Sequence, residues 1–266
     1  MSLFAALLLG IVQGLTEFIP VSSTAHLLVG EELFGLSAGD PRVFGFTVLV
    51  QLGTLVSLFA YFRADIVSLV RAFFARPFST AENRLAWHVV IGTVPALLAG
   101  ALLEKHVEKL FQAPLVAAAI RLFTAAGLLT LAEYLGRRAR RLDSMRWPDA
   151  LVVGLFQVVA VFPGASRSGT TVAGGMLRGF DRPSAARFAF LLSVPVLLAA
   201  GVYKAPAVLR LPDMGSFLGP LAVGFAAAAV FGWLAIGWLI GYLNRRSLYV
   251  FAAYCGAAGA ACLAAS

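Results

Sequence analysis

The chain has 266 residues, 60% hydrophobic and 13% charged, with a formal net charge of +8 and a mean hydropathy of +0.88. A soluble domain carries about twice that share of charged residues, so the composition excludes a soluble enzyme and indicates one integral membrane domain over 1–266. The basic residues fall between apolar segments rather than on one soluble face, which argues against nucleic acid as a partner and leaves the bilayer.

In chain order, the first apolar stretch, Leu3–Leu36, is broken around Pro20 by "QGLTEFIPVSSTAH", Gln13 to His26. No basic region precedes it and polar groups interrupt it, so it does not read as a cleaved signal. Proline and clustered hydroxyls stop a helix and free backbone groups that lipid cannot satisfy. The stretch therefore predicts a re-entrant hairpin over 3–36. Three spans follow, at 44–62, 85–103 and 114–135, each long enough for a core of ~30 Å. A second broken stretch, Asp149–Phe180 around "FPGASRSG", predicts a re-entrant hairpin over 149–180, and spans follow at 184–204, 217–243 and 248–265.

The predicted fold is an all-α polytopic membrane protein with six transmembrane helices and two re-entrant hairpins. Repeat one covers about 1–136 and repeat two about 147–266, in inverted topology, a frequent transporter plan. "IGTVPALLAG" at Ile91 echoes "LLSVPVLLAAG" at Leu191, and "FIPVSS" at Phe18 echoes "FPGAS" at Phe162. With both termini outside, the inner connections hold fourteen basic residues and the outer ones five, as the positive-inside rule requires. "RRARR" at Arg137–Arg141 then reads as an orientation signal facing the cytoplasm. Cys255 and Cys262, seven apart on one helix, cannot bridge each other.

Polar residues at membrane depth are costly unless they face a cavity and a partner. Gln13 and Glu17, four apart, share one helix face. Ser22, Ser23 and Thr24 can cap the second arm, and His26 falls on the face of Ser23, within reach for a base beside a hydroxyl. In the second hairpin, Gly164, Ser166, Arg167, Ser168, Thr170 and Thr171 combine a glycine turn opening a helix with a planar guanidinium, the elements of a phosphate cradle. A Glu17–Arg167 ion pair joining the two halves is the plainer alternative. A carboxylate in a site built for anions is reconciled by a hard divalent cation, Mg2+ or Ca2+, bridging Glu17 and phosphate oxygens. The chemistry is phosphoryl transfer or hydrolysis on a lipid-linked phosphate; a transporter or scramblase of such lipids is the alternative. Gln51 is read as cavity-lining or packing, His88 as interfacial, Glu133 as snorkelling to the inner face, and His106 as solvated. Arg121 carries no functional reading.

At "QGLTEFIPVSST-A-H", "QLGTL" at Gln51 and "PGASRSGTTVAGGML" at Pro163–Leu177, the chain resembles the undecaprenyl-diphosphate phosphatase family of the bacitracin-resistance type, over essentially its whole length. Where the family has Glu or Gln, three residues and Glu, this chain has Gln13 and Glu17, one carboxylate fewer than the Glu form; Ala25 stands where the family often has Gly. The resemblance implies hydrolysis of a C55 polyprenyl diphosphate to the monophosphate carrier used in cell-wall synthesis, a divalent metal, and the bacterial cytoplasmic membrane with the site opening outward. A homodimer is compatible with it. Carried over, the functional positions are Gln13, Glu17, Ser23, His26, Ser166, Arg167 and Thr171. The expected roles are metal at Glu17 and Gln13, nucleophile or diphosphate contact at Ser23, base at His26, and diphosphate binding at Ser166, Arg167 and Thr171 with the turn at Gly164 and Ser168.

Overall fold

Long apolar runs away from water must close their own backbone hydrogen bonds, which a helix does. The computed structural model describes residues 1–37, 39–107, 114–160, 165–210 and 214–266. Among the described residues there are 11 α-helices and no β-strand. They are α1 (Leu3–Phe18), α2 (Ser23–Leu33), α3 (Pro41–Tyr61), α4 (Arg63–Phe73), α5 (Ala81–Val107), α6 (Pro114–Leu135), α7 (Trp147–Val159), α8 (Arg167–Leu177), α9 (Arg182–Leu209), α10 (Met214–Leu243) and α11 (Tyr249–Ala264).

Five helices contain stretches long and apolar enough to cross a bilayer: Pro41–Tyr61, Ala81–Leu103, Pro114–Leu135, Arg182–Lys204 and Phe217–Leu243. The chain is a multi-pass membrane protein. The sixth predicted span is shorter than expected. α11 has 16 residues, about 24 Å at 1.5 Å per residue, and its N-cap Leu248 donates its N–H to the Glu133 carboxylate at 2.7 Å. Each broken stretch forms two short helices packed on each other, of 16 and 11 residues in α1 and α2 and 13 and 11 in α7 and α8. None of the four reaches ~30 Å. The connection after Phe62, expected to face the cytoplasm, contains helix α4, none of whose residues is buried.

Packing is crosswise. α1 lies against α10 so closely that a Cβ on Gly10 would stand 2.3 Å from the Gly224 carbonyl oxygen; α7 meets α5 likewise, 2.4 Å from Gly154 to the Gly92 oxygen. Only glycine permits that approach of two backbones. Counted within the expected halves, these contacts relate equivalent helices: a first hairpin arm against the second span of the other half. The Ile91–Leu191 echo does not, since α5 is a second span and α9 a first.

Two carboxylates knot one end of the bundle. Glu133, expected to snorkel, is buried and accepts from Arg182 (2.6 and 2.7 Å), Arg138 (2.7 Å) and the Leu248 N–H. Asp149 accepts from Arg140 (2.7 Å), Arg178 (2.9 Å) and the Arg146 N–H (3.0 Å). Arg138 and Arg140, within the expected orientation signal, thus also hold the fold. The Asp149 carboxylate raises the Arg140 pKa through its hydrogen bond. Cys255 and Cys262 are buried and free, as their spacing requires.

Candidate active site

The site forms where the two broken stretches meet. Pro20 ends α1 and Ser22 adopts a left-handed backbone (φ 67°) before α2 begins at Ser23. A non-glycine residue held there costs about 1–3 kcal/mol. The Ser22 side chain makes no cap bond to α2, contrary to the expected capping. Its carbonyl instead accepts from the amides of Ala25 (3.1 Å) and His26 (3.3 Å) and from His26 Nδ1 (2.9 Å). In the second stretch Ser166 does cap its helix: its Oγ accepts from the Gly169 N–H at 3.2 Å. α2 and α8 therefore both begin at this junction, and their N-terminal amides and dipoles favour an anion.

Glu17 is the centre. It is buried, and its Oε2 accepts from Gln13 Nε2 at 2.8 Å and from Ser23 Oγ at 2.6 Å. Its Oε1 pairs with the Arg167 guanidinium from the other hairpin. A second link joins the tips: Ser168 Oγ donates to the Ile19 carbonyl at 3.4 Å and lies 3.2 Å from Ser166 Oγ. Gln13, Glu17, Ser23, Ser166, Arg167 and Ser168 are thus brought together from two segments about 150 residues apart.

Three expected site residues stand differently. His26 and Ser23, anticipated as a hydrogen-bonded pair, each use another partner. Ser23 gives its proton to Glu17, while His26 bonds Ser22 and, through Nε2, the Tyr254 hydroxyl at 2.7 Å. The physical reason is the left-handed turn at Ser22, which aims its carbonyl at the imidazole. Thr171 is fully buried and its hydroxyl donates to the Arg167 carbonyl at 2.7 Å, as Thr170 does at 2.9 Å; both brace the first turn of α8. Gly164 lies outside the described residues. Tyr254, on α11, is the residue that spacing did not reveal.

Among the described residues no group of three or more His, Cys, Asp or Glu could hold a metal ion. Gln13 turns its amide nitrogen to Glu17, and the Glu17 oxygens are engaged by Gln13, Ser23 and Arg167, so the site offers a hard cation one carboxylate, which suits an ion bound mainly through substrate phosphate. Of the weaker candidates, Gln51 is half-buried and His88 buried. The Arg121 Nε is buried without a hydrogen-bond partner, as are both amide atoms of Gln157. The His106 side chain lies outside the described residues.

Residues 6–261 match the family model described as bacitracin resistance protein BacA. A protein of Anaeromyxobacter dehalogenans named undecaprenyl-diphosphatase is 48% identical over 270 residues, covering 98% of this chain and 90% of its own length. Proteins of the same name from Myxococcus xanthus and Mycobacterium ulcerans are 44% and 40% identical, each covering 96% of this chain, over 86% and 93% of their lengths.

Proposed function

The chain belongs to the bacitracin resistance protein BacA family, and from that premise and the geometry of the two hairpin tips we infer that it hydrolyses undecaprenyl diphosphate. The products are undecaprenyl phosphate and inorganic phosphate, a reaction that recycles the lipid carrier and confers the bacitracin resistance of the family's name. One observation carries the mechanism: a buried carboxylate that accepts a serine hydroxyl proton at 2.6 Å while pairing with an arginine of the other hairpin.

Ser23 Oγ attacks the terminal phosphorus and passes its proton to Glu17 Oε2. The bond from that phosphorus to the bridging oxygen breaks, and undecaprenyl phosphate leaves. Water then cleaves the phosphoserine: its hydroxyl stays on the released phosphate and its proton returns to Ser23 Oγ, while the proton on Glu17 departs to solvent. Arg167, Ser166, Ser168 and the opening amides of α2 and α8 bind the diphosphate and its developing charge. Glu17 would hold a divalent cation, Mg2+ or Ca2+, with Gln13 joining once its amide turns its oxygen toward the ion, and the cation would neutralise charge on the phosphate oxygens.

The architecture we propose has α1–α2 and α7–α8 as re-entrant hairpins of an inverted repeat, with α11 as the sixth, short crossing. The crosswise glycine contacts support it. The charge distribution supports termini outside and, with hairpin one dipping in from the outer face of the bacterial cytoplasmic membrane, a site open to that face. A transporter of polyprenyl phosphates has use for the arginine and the repeat but none for a serine hydroxyl held on a carboxylate.

The test is phosphate release from undecaprenyl diphosphate by detergent-purified protein, with and without chelator, beside Ser23→Ala and Arg167→Leu. Release lost in both variants supports the assignment, and loss with chelator supports the cation. Intact lipid bound without release by folded wild type overturns the phosphatase.

A further inference from the structure

The mechanism above leaves the His26–Tyr254 contact unused. His26 Nδ1 lies 2.9 Å from the Ser22 carbonyl oxygen, and a carbonyl only accepts, so Nδ1 carries the hydrogen. In the neutral ring Nε2 then has only a lone pair, and the Tyr254 hydroxyl, 2.7 Å away, donates to it. The two rings are nearly parallel, 10° between planes and 5.7 Å between centroids. The contact is anchored from behind. The next residue of α11, Cys255, is fully buried with its Sγ 3.9 Å from the Pro20 carbonyl oxygen, so α11 touches the first hairpin tip with two successive side chains.

We propose that Tyr254 is the positioning residue of His26: the Ser22 carbonyl sets the Nδ1–H tautomer, and the phenol holds the ring in place through Nε2. The inference rests on the phosphatase reading of the same site and adds a residue to it from the far end of the chain. A phenol suits this task because it both donates and accepts. Toward neutral imidazole it donates to Nε2; toward imidazolium it accepts from Nε2–H. The hydrogen bond survives either way with its direction reversed, and the ring need not turn when the local charge changes. An ammonium could hold only the neutral ring, and a carboxylate only the cation. With the Ser22 carbonyl on one nitrogen and the Tyr254 hydroxyl on the other, the ring stays beside Ser23 without competing with Glu17 for the serine proton.

Two readouts test this together, the nitrogen shifts of 15N-histidine-labelled protein and steady-state phosphate release. A difference spectrum against His26→Ala isolates the His26 ring. In wild type it is expected to show a protonated Nδ1 and a bare Nε2. In Tyr254→Phe, which keeps the aromatic ring, Nδ1 is expected to stay protonated on the Ser22 carbonyl while the Nε2 shift moves as it loses the phenol's hydrogen bond. There kcat should be lower by about tenfold as the ring beside Ser23 loses its anchor, the scale of one lost hydrogen bond, with KM within twofold. The same substitution in a His26→Ala background should change kcat no further. An unchanged kcat in Tyr254→Phe overturns the proposal, and so does an unchanged His26 spectrum. Wild type that releases no phosphate sinks the phosphatase reading alone, because the Nε2 shift still decides whether Tyr254 holds the ring.

Discussion

Glu133 and Glu17 are both buried carboxylates held by arginine, but the donors around them differ in kind. Glu133 accepts from Arg182, Arg138 and the Leu248 amide, none of which can give up its proton. Glu17 accepts from one guanidinium, one amide and the Ser23 hydroxyl, whose proton can move. The first arrangement saturates a charge and ties α6 to α9 and the start of α11. The second puts a transferable proton on the carboxylate and joins two hairpins whose helices both begin there. A buried Glu–Arg pair is therefore not in itself a site; the transferable proton and the converging helix N-termini distinguish one from the other.

Substitution at each carboxylate breaks that comparison most sharply. Glu17→Gln keeps the shape of the side chain and removes the proton acceptor. Phosphate release should fall by about 10^2–10^4, the usual worth of a general base, and the melting temperature should fall as well, because the buried Arg167 loses its anion. Glu133→Gln should lower stability alone. Leaving Arg182 without its anion costs about 3–5 kcal/mol, read as a lower detergent melting temperature, while activity per folded molecule stays near wild type. If Glu133→Gln lost activity while fully folded, the division between the two carboxylates would be wrong.

The glycine contacts provide a smaller lever. Gly10→Ala and Gly154→Ala each place a methyl within 2.3 or 2.4 Å of a facing carbonyl oxygen, and overpacking of this sort costs about 1–3 kcal/mol. Similar losses in unfolding measurements would support equivalent roles in the two halves. The smallest effect should come from Arg138→Gln. Arg138 is 36% exposed in its side chain, and Glu133 keeps Arg182, so the loss should stay below about 1 kcal/mol.

Much of this site could be read in the chain itself. Gln13, Glu17, Ser23 and Arg167 stand out because polar residues in apolar runs demand a partner, and the two broken stretches had to meet for Glu17 and Arg167 to satisfy each other. The pairing of Ser23 could not be read. Three-residue spacing put His26 on the same helical face, but the left-handed Ser22 turns the imidazole toward its own carbonyl and leaves the hydroxyl to Glu17. Tyr254 is 228 residues from His26, and nothing local marks it among the aromatics of the last helix. Glu133 and Arg138 looked like surface charges at a membrane boundary, because burial there depends on α9 and α11 folding over them.

The most direct test of Ser23 as the nucleophile activated by Glu17 is a rapid acid quench of wild type turning over undecaprenyl diphosphate labelled in its terminal phosphate. Label on the peptide carrying Ser23, formed and lost within one turnover and missing from Glu17→Gln, is the expected result. Unlabelled protein at every time point, together with undiminished release by Ser23→Ala, would contradict it.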